Sequence, residues 1–219
     1  MRWCIAVTCF TVALNLAACR EQTATAPALR PVFDAGGGQS GMTLHPSGFG
    51  PHSYAAWKAH QGEPDGHGNA DFALYFQKLT ETAVFAAGVA VVDGLEGQPV
   101  TTLDTLSWEH RAGGHCGAGA PRWNVGITGA SGTEYTVFLG CSAAAHFPGQ
   151  TPGWTLDFYD VPAIAAAILA QAGSDGAAGT IRSLAIVFDE GTDAGEGFVF
   201  LDNVRVNQTQ WTQPADNSN

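Results

Sequence analysis

The feature that most restricts this chain is a period of two. From residue 71 onward, short runs alternate apolar with polar side chains and are closed by glycine, proline or Asp-Gly pairs. Alternation of this kind puts one set of side chains on each face of a sheet and excludes a chain built mainly of amphipathic helices. Phe72, Leu74 and Phe76 alternate with Ala73, Tyr75 and Gln77, and Leu106, Trp108 and His110 with Ser107, Glu109 and Arg111. Trp123, Val125 and Ile127 alternate with Arg122, Asn124 and Gly126, and Trp154, Leu156 and Phe158 with Thr155, Asp157 and Tyr159. Residues 83–92 are apolar throughout and predict a strand buried on both faces. Residues 134–140 follow Gly129-Ala130-Ser131-Gly132, a loop of hairpin length. The last strands are expected over 180–189, with Leu184, Ile186 and Phe188 inward, and 197–206, with Phe198, Phe200, Val204 and Val206 inward.

One short helix interrupts the strands. Asp160 is placed to cap it, Pro162 lies in its first turn, and Gly173 closes it. Val161, Ile164 and Ile168 share one face, so it should cover one end of the sheets. About eight strands at short spacing predict an all-β protein, an antiparallel β-sandwich of jelly-roll-like type. The 28 glycines, 11 prolines and low charged fraction of 13% agree with many turns and little helix.

Between the second and third of those alternating runs lies a glycine-rich loop carrying Gly113, Gly114, His115, Cys116, Gly117 and Gly119. Glycines there permit positive φ and close backbone approach, so the loop either folds tightly or lets a ligand lie against main chain. Further upstream, residues 45–69 read as irregular, with Pro46, Pro51 and Pro64, four histidines, Tyr54, Trp57 and Lys58. Within them, 53–60 would be a turn of helix or an edge strand.

The N-terminus reads as a secretory signal over residues 1–18: Arg2, a mostly apolar stretch to Leu16, then Ala17-Ala18. Leu16-Ala17-Ala18-Cys19 resembles the lipobox of bacterial lipoproteins, which implies lipidation of Cys19 and attachment to an outer membrane or cell surface through that lipid alone. Residues 19–41 then form a flexible tether, 42–207 the sandwich and 208–219 a disordered tail. With Cys4 and Cys9 removed and Cys19 lipidated, Cys116 and Cys141 remain as a pair in an oxidising space and are expected to form a disulfide. A metal site from His110, His115, Cys116 and His146 is the competing reading, without the paired spacing such sites show.

Net charge is −11, and no basic run is present, which argues against nucleic acid as a partner. Nucleophile elbows, zinc-protease helices and phosphate loops are missing from the sequence. Glu109 with Asp157, or Cys116 with His115, are the pairs an enzyme would draw on, but no spacing makes either one catalytic.

Near the C-terminus, Gly197-Phe-Val-Phe-Leu-Asp-Asn-Val-Arg-Val-Asn207 resembles the closing strand of jelly-roll carbohydrate-binding modules. The resemblance implies a structural calcium ion at Asp202; Asp189, Asp193 and Glu196 in the adjacent turn could supply oxygens, though without the spacing of a calcium loop. Gly114 to Asn124 is also similar to a motif of uncharacterised secreted bacterial proteins, which implies no activity. A sugar site needs aromatic faces and planar polar groups. Trp57 and Trp108 are the candidate platforms, and Glu109, Arg111, His115, Arg122 and Asn124 the candidate polar partners. Trp123 and Trp154 are assigned to the core. The expected function is a binding module for a glycan. The alternatives are an envelope structural or protein-interaction domain, and a secreted hydrolase using the glycine-rich loop.

Overall fold

In a computed structural model every ladder is antiparallel, and the strands form two facing sheets. It describes Pro31, residues 41–65 and residues 71–214. The signal, the lipobox with Cys19, most of the tether, and His67 lie outside those residues.

The smaller sheet runs β1 (Thr43–Phe49), β4 (Ala87–Asp93), β10 (Thr180–Phe188), β6 (Arg122–Thr128), β7 (Glu134–Gly140). The larger runs β2 (Ser53–Lys58), β3 (Ala73–Lys78), β11 (Phe198–Val206), β5 (Thr105–Arg111), β9 (Trp154–Asp160), β8 (Ala145–Pro148), with β12 (Thr209–Trp211) paired to β11. The chain passes between the sheets at most connections, which gives the jelly-roll-like β-sandwich expected from the sequence.

The alternating runs explain the interior. Leu74, Phe76, Val92, Leu106, Val125, Ile127, Leu184, Ile186 and Phe188 are fully buried between the sheets. Trp108 on the larger sheet and Trp123 on the smaller stack across the core with centroids 5.2 Å apart. The helix, α1 (Val161–Ala177), starts at Asp160, whose side chain accepts from Ala163 N, and breaks from helical geometry at Gly173 (φ 62°) before a last turn. Ile164 and Ile168 are buried against the core, and Val161, on the same face at the first turn, is 49% exposed and lines a small apolar pocket with them.

Four expectations are corrected. Residues 43–49 are a strand rather than part of an irregular arm, and 53–60 takes its edge-strand alternative over 53–58; Pro46 fits because β1 is a sheet edge, where a missing N–H costs little. The strand expected over 83–92 begins only at Ala87. The carbonyls of Thr82 and Val84 turn inward to the ammonium of buried Lys78, which also holds the Asp189 carbonyl, so that segment cannot join a ladder. The tail is ordered through β12, which returns on β11 after a turn at Asn207 (φ 54°).

The fourth correction decides where the site lies. Val199 and Leu201 point into the core, and Phe198 and Phe200 point out. Val204 and Val206 are inward as expected. Both hold because the register with β5 shifts between Asp202 and Arg205, where Asn203 takes φ 48°. An extra residue at a bulge inverts which parity faces inward.

Candidate functional site

The glycine-rich loop is closed upon protein partners. His115 is buried, with Nε2 2.6 Å from Glu190 Oε2 and its ring edge-on to Phe188. A Cβ on Gly119 would come within 2.2 Å of Glu190 Oε1, and one on Gly195 within 2.1 Å of His115 Nδ1. These glycines therefore serve close packing of loop against loop; of the four in the loop, Gly113 adopts positive φ. Cys116 and Cys141 form the expected disulfide, which ties this loop to the end of β7. Arg122 donates from Nη1 and Nη2 to the two Asp189 oxygens at 2.5 and 2.7 Å, from Nη1 to the Gly119 carbonyl, and from Nε to Asn124 Oδ1 at 2.9 Å. Arg122 and Asn124 do share the face opposite Trp123, but the guanidinium is already committed.

Beside the disulfide lies a buried carboxylate. Asp157 Oδ2 accepts from Trp108 Nε1 at 2.7 Å and lies 2.6 Å from His110 Nδ1, and Oδ1 lies 2.8 Å from His146 Nδ1. Trp108 is fully buried here, so it offers no open face to a sugar. Among the described residues, His110, Cys116, Cys141 and Asp157 form a group whose donor atoms lie within 4.8 Å of one another. With both sulfurs in a disulfide, no thiolate is available to a metal. His115, named in the competing metal reading, sits instead with Glu190.

Glu109 and Asp202 belong to a second buried network, with Glu63. Asp202 Oδ2 accepts from Glu63 N and Oδ1 from Asn203 N, each at 2.6 Å. Glu63 Oε1 accepts from Thr151 N at 2.5 Å, and Glu109 Oε2 from Gln150 N at 2.5 Å. Asn203 Nδ2 donates to both Glu63 Oε2 and Glu109 Oε1, while its Oδ1 accepts from Gln210 Nε2. Gln210 is oriented in turn by Arg205. Calcium takes six to eight oxygens. Here the Asn203 amide stands between the two glutamates beside Asp202, and of the oxygens expected around the ion Asp189 is bonded to Arg122 and Asp193 to Thr82 instead. Burial pushes the Asp202 carboxyl up to about 7, with Glu63 and Asp65 adding to the rise against two backbone N–H bonds.

The outer face of the larger sheet is different. Antiparallel register sets Ala56 on β2 opposite Tyr75 on β3, and Tyr75 opposite Phe200 on β11. Arg111, at the end of β5, continues the row, its Cζ 3.7 Å from the Phe200 ring centroid. Tyr54 and Phe198 flank Tyr75 at 5.8 and 6.2 Å between centroids, and Lys58 Nζ stands 5.3 Å over Tyr54. Together they line an open groove of about 610 Å³. Arg111 Nη1 donates to Gln61 Oε1 at 3.0 Å, which fixes the guanidinium plane over the ring. Burial, then Tyr54, raises the Tyr75 hydroxyl above its ordinary value, so it stays neutral, and it donates to Gln77 Oε1 at 3.1 Å.

Of the candidates named from the sequence, Arg111 alone lines this groove. Trp57 packs toward the core from the other face of β2. Glu109, Trp108, His115, Arg122 and Asn124 are not brought together with it. Tyr75, Phe198 and Phe200 were missed, and Tyr54 and Lys58 were named only as part of the 45–69 segment; alternation in β3 marks Tyr75 as outward, but the bulge hides the two phenylalanines. Comparison with known protein families, curated proteins and solved structures finds no match in any of the three.

Proposed function

We propose that the chain is a lipid-anchored, extracytoplasmic binding module whose ligand is carbohydrate, held on the outer face of the larger sheet. The observation that carries this reading is the groove itself. Four half-buried aromatic rings on adjacent strands present apolar faces of the size a pyranose covers, with a guanidinium, an ammonium and a phenol at the rim for its hydroxyls. The rings cannot be explained as core, because the core lies on the opposite face of the same strands. Anchoring is supported by Leu16-Ala17-Ala18-Cys19, and an oxidising compartment by the pairing of Cys116 with Cys141.

The full chain on a glycan array tests the reading. Binding is expected, lost in Phe200→Ala and Tyr75→Ala, and retained in Arg122→Ala and Asn124→Ala. A folded protein that binds no glycan would contradict it. A second reading, a protein-interaction domain, draws on Phe85, 86% exposed, and Phe49 beside it with centroids 4.9 Å apart at one end of the sandwich.

A further inference from the structure

We infer that the groove selects an anionic sugar unit, a uronate or a sulfated sugar, over neutral ones; this rests on the glycan reading above. The chain has 9 Lys and Arg against 20 Asp and Glu, so unpaired cations are scarce. Most of the described ones are engaged. Lys78 is buried among three carbonyls, Arg122 is bonded to Asp189, Arg182 faces Glu134 at 3.7 Å, and Arg205 is bonded to Gln210. Lys58 and Arg111 differ. Among the described residues neither has a carboxylate partner, and both line the same groove, where no Asp or Glu is among the described lining residues.

Their protein contacts hold them without neutralising them. Lys58 Nζ sits 5.3 and 5.9 Å from the centroids of Tyr54 and Tyr75, an attraction to ring faces that leaves its hydrogens to solvent. Arg111 stacks on Phe200 and spends Nη1 on Gln61, so Nε and Nη2 remain for an acceptor in the plane of the guanidinium. That planar edge suits a carboxylate or sulfate, and a charge-assisted bond there is about twice as strong as one to a neutral hydroxyl. Half-buried rings beneath both cations lower the local dielectric and strengthen the contact. The acidic surface elsewhere opposes approach of a polyanion, but over distances beyond about 8 to 10 Å physiological salt screens it. Contact at the groove is therefore the deciding interaction.

The test uses the full chain and calorimetric titration with hexagalacturonate, its methyl ester, a sulfated galactan oligomer and cellohexaose. At least one anionic ligand is expected to bind about tenfold or more tightly than the ester and the neutral oligomer. Lys58→Gln and Arg111→Gln should each remove about tenfold from that affinity. They should weaken binding of the ester less than that of the acid, so that the acid-to-ester affinity ratio falls, with near-ultraviolet circular dichroism confirming the fold. The uronate and sulfate arms identify the source of the charge. Equal affinity for acid and ester, or anion binding indifferent to both substitutions, would overturn the inference while leaving a glycan module. No binding to any of the four, together with an empty array, would overturn the underlying reading as well.

Discussion

The loop of residues 112–121 and the outer face of the larger sheet make an instructive pair. The loop holds the histidine, cysteine and glycines that attract attention in the sequence, and nearly all of that chemistry is spent inside the protein: His115 on Glu190, the adjacent Arg122 on Asp189, Cys116 on Cys141. The outer face is made of ordinary strand residues, yet Tyr54, Tyr75, Phe198, Phe200, Lys58 and Arg111 keep open surface. A side chain becomes available to a ligand through its unspent contacts, and its type alone does not decide the matter. Substitutions should therefore separate: changes around the loop lower stability and spare binding, and changes in the groove do the reverse.

The largest effect is expected at Lys78. Its ammonium donates to the carbonyls of Thr82, Val84 and Asp189 at 2.9, 2.8 and 2.7 Å, binding the 80–86 turn to the 189–197 loop. Lys78→Ala strands three inward carbonyls and should cost about 3 to 5 kcal/mol by urea denaturation. A loss under about 1 kcal/mol would show that water replaces the ammonium at little cost.

Next comes the disulfide. It closes 25 residues, and Cys116→Ser with Cys141→Ser should lower stability by about 3 kcal/mol with glycan affinity unchanged. Loss of binding in the folded double variant would connect the loop to the site and break the separation.

A smaller effect is expected from pH. The Asp202 carboxyl is pushed up to about 7, so between its ordinary value near 3.9 and about 7 the folded state holds a proton that the unfolded chain releases. Its contribution to stability is complete below about pH 4 and is lost as pH rises to 7. Asp175 and Asp193, lowered chiefly by Ser131 and Thr82 hydrogen bonds, act oppositely and lose their contribution in acid. The melting temperature should thus peak in mild acid, fall toward pH 8, and lose part of that slope in Asp202→Asn. A melting temperature raised by calcium chloride at pH 8 would contradict the hydrogen-bonded arrangement of Glu63, Glu109 and Asp202.

Much of the fold was legible because alternation is a local property. Trp108, Trp123, Leu184 and Ile186 announce inward faces within their own strands, and the 129–133 hairpin and the Asp160 cap follow from turn and cap chemistry. What escaped depends on distant partners. The strand at 43–49 exists because β4 offers an edge, and β12 because β11 does. The turn before β4 is drawn out of the sheet by Lys78. Above all, Phe198, Phe200, Val204 and Val206 share one parity in the sequence and two faces in the fold, because a bulge at Asn203 lies between them. Reading a single period through that point buries the site on paper.

The most direct measurement is the glycan array repeated on the folded full chain and on its Phe200→Ala and Arg122→Ala variants. The account predicts signals that vanish when the ring on β11 is removed and persist when the ion pair with Asp189 is broken. Signals that survive Phe200→Ala, or disappear in Arg122→Ala, would place the ligand on the other side of the molecule and contradict it.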